Sequence, residues 1–106
     1  FPDLRVVLVH GGGFYPYQAG RMERAYDLQP APKPERSALD RLRWFHYDTV
    51  IHFPTALRYL AEMVGPERIV LGSGAPFDIG DPAPVESAIL ESNPARLFAL
   101  TIRRDP

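Results

Sequence analysis

Leu4-Arg5-Val6-Val7-Leu8-Val9-His10, closed by Gly11-Gly12-Gly13, is the stretch on which the fold turns. It is an almost unbroken apolar run with three valines, bounded by Pro2-Asp3 before and by the glycines after. A run of this kind predicts a strand buried on both faces, as in a parallel sheet, rather than the alternating strand of a half-solvated one. Downstream, Met22, Ala25 and Tyr26 fall at helical spacing within a segment from Pro16 to Asp27. Pro30, Pro32 and Pro34 then impose a loop, since each removes a donor and biases its predecessor to extended geometry. Leu39 and Leu42 predict a helix over 35–43 with Pro34 near its first turn. Phe45 to Ile51, aromatic and β-branched, predicts a second strand. Pro54 opens the clearest helix: Leu57, Leu60, Ala61 and Val64 form one apolar stripe, and Gly65-Pro66 stops it. Ile69 to Ser73 reads as a third strand. Beyond a loop rich in glycine and proline, 85–91 and 94–100 read as helices, the second with Asn93 as N-cap and Pro94 in first position.

Strands that alternate with helices argue for parallel pairing through right-handed crossovers. Three strands are too few for a stable parallel sheet covered on both sides. A (β/α)8 barrel takes about 250 residues, and the 106 residues here would supply well under half of one. The expectation is therefore a single partial α/β domain over residues 1–106. A chain that opens on Phe1, without an initiator methionine, fits a piece of something longer.

Composition removes several functional classes. Hydrophobic residues at 45% and charged residues at 24% are ordinary globular values, which argues against wholesale disorder. A net charge of −1 gives no electrostatic footprint for nucleic acid or an anionic membrane. The absence of cysteine excludes a disulfide scaffold and any thiolate zinc site. No apolar run approaches the roughly 18 residues of a membrane span. A soluble, cytoplasmic domain without nucleic-acid or membrane partners is expected. The Arg103-Arg104 tail reads as solvated.

His10-Gly11-Gly12-Gly13 stands where a parallel strand ends, the edge at which α/β sheets and barrels place their chemistry. An imidazole there can serve as acid, base or metal ligand near neutral pH, or simply cap a turn. Phosphate cradling has little support, because neither a Lys-Ser/Thr pair nor GxGxxG is present. The same four residues form the oxyanion-hole motif of esterase-like α/β hydrolases, which also need a G-x-S-x-G elbow. Ser73 is the one serine after a strand, and it is flanked two residues away by Leu71 and Ala75 instead of glycines.

Five motifs then occur in order: Pro2 to Gly13, Gly20-Arg21, Tyr47-Asp48-Thr49, Leu71-Gly72-Ser73-Gly74-Ala75-Pro76-Phe77, and Asn93-Pro94-Ala95-Arg96-Leu97-Phe98. Together they resemble the C-terminal part of the amidohydrolase-related family typified by aminocarboxymuconate-semialdehyde decarboxylase. The resemblance implies strands six to eight, with their helices, of a distorted (β/α)8 TIM barrel. It implies a parent with a mononuclear divalent metal, usually zinc, that decarboxylates, hydrates or hydrolyses small unsaturated or aromatic carboxylic acids. By the same resemblance His10 matches the general base that activates the metal-bound water. Arg21 matches an arginine that reaches into the neighbouring subunit's site and holds a substrate carboxylate, which implies a homodimeric parent. Phe77 matches an aromatic residue at the pocket mouth.

One departure concerns the metal. Where the family pattern has an aspartate that ligates it, this chain has Gly74, and Ala75 replaces the aromatic beside it. The chain alone is therefore expected to hold no metal and to be inactive, and Asp78 lies beyond a proline in a loop. The segment between Val85 and Asn93 is also shorter than the family's. These features favour a rival reading, a degenerate relative persisting as a binding or assembly module. Of the other histidines, His46 reads as packed within a strand and His52 as part of a loop or helix entry. Asp48, within a strand, must be hydrogen-bonded and reads as a structural acceptor, or as second support for His10.

Overall fold

The computed structural model describes residue 1 and residues 3–73. The helices expected at 85–91 and 94–100, the Asn93 cap and the Arg103-Arg104 tail lie outside the described residues. Strand β1 (Val7–Leu8) leads through a 3-10 turn (His10–Gly12) into helix α1 (Tyr15–Asp27). Helix α2 (Ala38–Leu42) precedes strand β2 (His46–Asp48), and helix α3 (Pro54–Val64) and a second 3-10 turn (Pro66–Arg68) precede strand β3 (Ile69–Val70).

The sheet is parallel throughout, in the order β1-β2-β3, with Val7 opposite His46, Leu8 opposite Tyr47, and Tyr47 opposite Ile69. Both crossovers advance in the same direction. Right-handed crossovers that advance one way set their helices on one face of the sheet, and α1 and α3 indeed contact each other. The unit is thus singly wound, as in a barrel wall, rather than doubly wound.

The core is a small cluster of Ala19, Leu42, Tyr47, Leu60, Val64 and Ile69, with Leu8, Leu57 and Ala61 packed on it. The predicted α3 stripe is the stripe that packs: Leu60 and Val64 are buried and Leu57 and Ala61 half-buried. Gly65, at φ 88°, ends that helix. In α1 the inward face is carried by Ala19 with the half-buried Tyr15, Glu23 and Tyr26, whereas Met22 and Ala25 are exposed.

The three strands are shorter than the runs that predict them, and two further sequence expectations need correction. β1 is not buried on both faces: Val7 and Leu8 are half-buried, and Val9 is 62% exposed. It has β2 as its one sheet neighbour among the described residues, so one edge of the run is open. The helix predicted over 35–43 begins later. Ser37 and Asp40 form a reciprocal capping box that fixes the start at Ala38, so Pro34 lies outside its first turn.

Short as it is, α2 is held at both ends. The Tyr15 hydroxyl donates to the Ala38 carbonyl (2.7 Å), and the Tyr47 hydroxyl donates to that of Leu42 (2.6 Å). The Glu23 carboxylate accepts from the Leu39 amide at 2.9 Å, placing a negative charge at the helix N-terminus. Two phenols and a carboxylate thus do for α2 what five residues of helix cannot do alone.

Candidate functional site

The site lies at the C-terminal ends of β1 and β2. His10 adopts φ 55° and Gly11 φ 61°, so the chain turns sharply in the left-handed region as soon as β1 ends. That region costs a non-glycine residue about 1–2 kcal/mol, so the surroundings must hold His10 there. A Cβ on Gly11 would stand 2.5 Å from the Ile51 side chain, and one on Gly12, 2.6 Å from the Tyr47 ring. Glycine is needed at both positions on grounds of space as well as backbone angle.

The amides of the three glycines are engaged. Gly12 N donates to the Val9 carbonyl (3.0 Å) and Gly13 N to the His10 carbonyl (3.0 Å). Gly11 N donates to Asp48 Oδ1 at 2.9 Å, and the same oxygen accepts from Val50 N at 3.2 Å. Asp48 is 9% exposed. An oxyanion hole requires backbone donors aimed at empty space. These point at protein acceptors, so the esterase-like reading of the four residues fails on this geometry.

His10 itself is exposed and lines a cleft of about 140 Å³ with Pro16, Tyr17, Ile51, Tyr59 and Leu60. The Tyr17 and Tyr59 rings lie 6.4 Å apart, and the Tyr59 hydroxyl donates to the Pro16 carbonyl at 3.3 Å. Burial pushes the Tyr47 phenol beneath the turn well above the ordinary tyrosine range, with Tyr15 adding to the effect.

The structure brings His10 to the cleft and leaves Arg21 apart from its lining. Arg21 is exposed on α1, one helical turn beyond Tyr17 and on the same face. Phe77 and Gly74 lie outside the described residues. His46 is half-buried within β2, and His52 is exposed just past it at φ 61°. Sequence reasoning did not single out Tyr17 and Tyr59. The signal for Tyr17 was its place four residues after the glycines. For Tyr59 there was none, since it falls off the apolar stripe of α3. Among the described residues no group of three or more His, Asp, Glu or Cys side chains is close enough to hold a metal ion, and no helix is long and apolar enough to cross a membrane.

A singly wound parallel α/β unit with a histidine held in a left-handed turn at its C-terminal edge defines the class. The chain belongs to the amidohydrolase family (Amidohydro_2), whose model matches residues 1–100. It is 38% identical over 86 residues to 2-amino-3-carboxymuconate-6-semialdehyde decarboxylase of Caenorhabditis elegans, a match covering 76% of this chain and 21% of that protein. Among solved structures it is similar to the 5-carboxyvanillate decarboxylase LigW from Sphingomonas paucimobilis, at 28% identity and a TM-score of 0.75, covering 95% of this chain and 35% of that one. It is also similar to 2,6-dihydroxybenzoate decarboxylase complexed with 2,6-dihydroxybenzoate, at 27% identity and a TM-score of 0.73, covering 93% and 36%. The chain thus spans about a fifth of the worm enzyme and about a third of the two solved decarboxylases. These three relatives are decarboxylases, so the family is an enzymatic one.

Proposed function

We propose that residues 1–106 supply strands six to eight of a barrel decarboxylase, or of a related hydrolase, acting on a small unsaturated or aromatic carboxylic acid. The observation that carries this is His10, fixed at the C-terminal strand edge and facing a cleft beside two tyrosine rings, in a chain whose relatives remove carboxyl groups. Decarboxylation exchanges a carbon–carboxylate bond for a carbon–hydrogen bond and releases CO2, so one proton must reach the reacting carbon. Imidazole gains and loses a proton near neutral pH, and His10 is the cleft residue suited to that transfer. A cleft of about 140 Å³ has the scale of a cavity that admits one benzene ring, about 150 Å³. Arg21, on the Tyr17 face of α1, is assigned to the substrate carboxylate, reaching across a homodimer as the resemblance implies. Phe77 is assigned to the pocket mouth.

The resemblance also implies a divalent metal, usually zinc. The described residues do not form a set that fits one, and glycine at position 74 offers no ligand atom. No step is assigned to a metal. Position 74 favours the second reading, a non-catalytic relative retained for binding or assembly.

The test is CO2 release from a panel of small aromatic and unsaturated acids by the gene product that carries these residues. His10→Ala is expected to lower turnover about a hundredfold or more, and Arg21→Met to raise KM. Full turnover in His10→Ala removes the assignment. Absence of release from every acid in the panel supports the non-catalytic reading.

A further inference from the structure

We propose that Asp48 is the positioning residue for His10. The inference rests on the reading of His10 as the proton carrier and adds the group that holds it in place. His10 occupies a backbone region that side-chain-bearing residues avoid, and such strain persists only where neighbouring structure over-determines it. Two of the bonds that hold the turn are local, Gly12 N to Val9 O and Gly13 N to His10 O. The bond that ties it to another strand comes from a side chain 37 residues away, Gly11 N to Asp48 Oδ1. Asp48 is well chosen for the task. It is nearly buried in the central strand, and its position is itself set by the Val50 amide on the same oxygen. A carboxylate is also a stronger acceptor for backbone amides than a neutral group.

The arrangement fixes where the imidazole starts. The peptide between His10 and Gly11 is the one whose N–H is held, so rotation about it would swing the histidine Cα and its side chain away from the sheet edge. Asp48 reaches the cleft through the amide of Gly11, a residue of its lining, so its effect on the imidazole passes through the backbone of Gly11.

The test uses the gene product carrying these residues, with Asp48→Ala and Asp48→Asn. Asparagine keeps an Oδ1 acceptor at the same place. Asp48→Ala is expected to lower kcat about tenfold or more with KM changed less than about threefold, and to speed Gly11 amide hydrogen exchange about tenfold or more. Asp48→Asn is expected to restore both to within about threefold of the parent. In the parent itself, a through-hydrogen-bond NMR coupling between Gly11 N and Asp48 Cγ is expected, which requires no variant to fold. Unchanged kcat in Asp48→Ala where His10→Ala is inactive overturns the inference and leaves the reading of His10 standing. Full activity in His10→Ala overturns that reading. The anchor is then judged on Gly11 alone: exchange faster in Asp48→Ala and restored in Asp48→Asn upholds it, and unchanged exchange or a missing coupling overturns it.

Discussion

Thr49 and Gly72 are bonded to each other in both directions: the threonine hydroxyl accepts from the Gly72 amide at 3.1 Å and donates to its carbonyl at 3.3 Å. Thr49 is buried, and the pair ties the end of β2 to the end of β3 beyond their last ladder partners. Thr49→Val keeps the shape and strands two backbone groups of a half-buried residue. A loss of about 1–3 kcal/mol is expected, read from the urea midpoint of the gene product. Thr49→Ser, which keeps the hydroxyl, should recover most of it.

The glycines after His10 are expected to differ sharply from one another. Gly12 and Gly13 both have positive φ, but only Gly12 faces a filled space, the Tyr47 ring. Gly12→Ala therefore adds overpacking to backbone strain, and should cost about 1–3 kcal/mol more than Gly13→Ala. The same denaturation measurement checks the order, and equal losses would mean that the ring moves aside freely.

Tyr47 predicts an alkaline limit to stability. Burial raises its phenol in the folded state above the unfolded value of 10.0. The folded protein then holds the proton more tightly than the unfolded chain, so the contribution is complete below about pH 10 and is lost as pH rises above it. Tyr47→Phe should flatten that alkaline decline. At neutral pH it should cost about 1 kcal/mol for the lost bond to Leu42. Stability measured from pH 8 to 11 in parent and variant checks both statements.

Metal uptake tests the reading of position 74. A mononuclear catalytic site needs about three protein ligands. The chain of residues 1–106 should therefore show no stoichiometric zinc binding in calorimetry. In the gene product, Gly74→Asp should increase zinc retention after dialysis. Micromolar one-to-one binding by the 106-residue chain, lost in His10→Ala, would assign His10 to ligation instead.

Much of this fold was legible because the punctuation is strong. Pro54 and Gly65-Pro66 bracket α3, and the four apolar residues between them form its packed face. The winding followed from strands and helices taken in turn. What sequence reasoning placed wrongly were features decided by tertiary partners. The burial of β1 depends on what stands beside it, and the start of α2 on a two-residue reciprocal cap that the nearby prolines obscured. At the site, His10 and the need for glycines could be read directly, and Asp48 could be seen to require a partner. That the partner is Gly11 depends on how β1 and β2 pair, and that Tyr17 and Tyr59 wall the cleft depends on how α1 and α3 meet; no local pattern encodes either.

Asp48 grips the main chain of the His10 turn and leaves the imidazole alone. Support and chemistry are therefore separable at this edge. The residue at position 10 can be exchanged for another that tolerates a left-handed backbone, such as asparagine or aspartate, while the scaffold beneath it stays bolted in place. On the proposed function, a sheet edge built this way is an interchangeable socket: drift at position 10 would alter what is done to a substrate, and drift at Asp48, Gly11 or Gly12 would remove the socket itself.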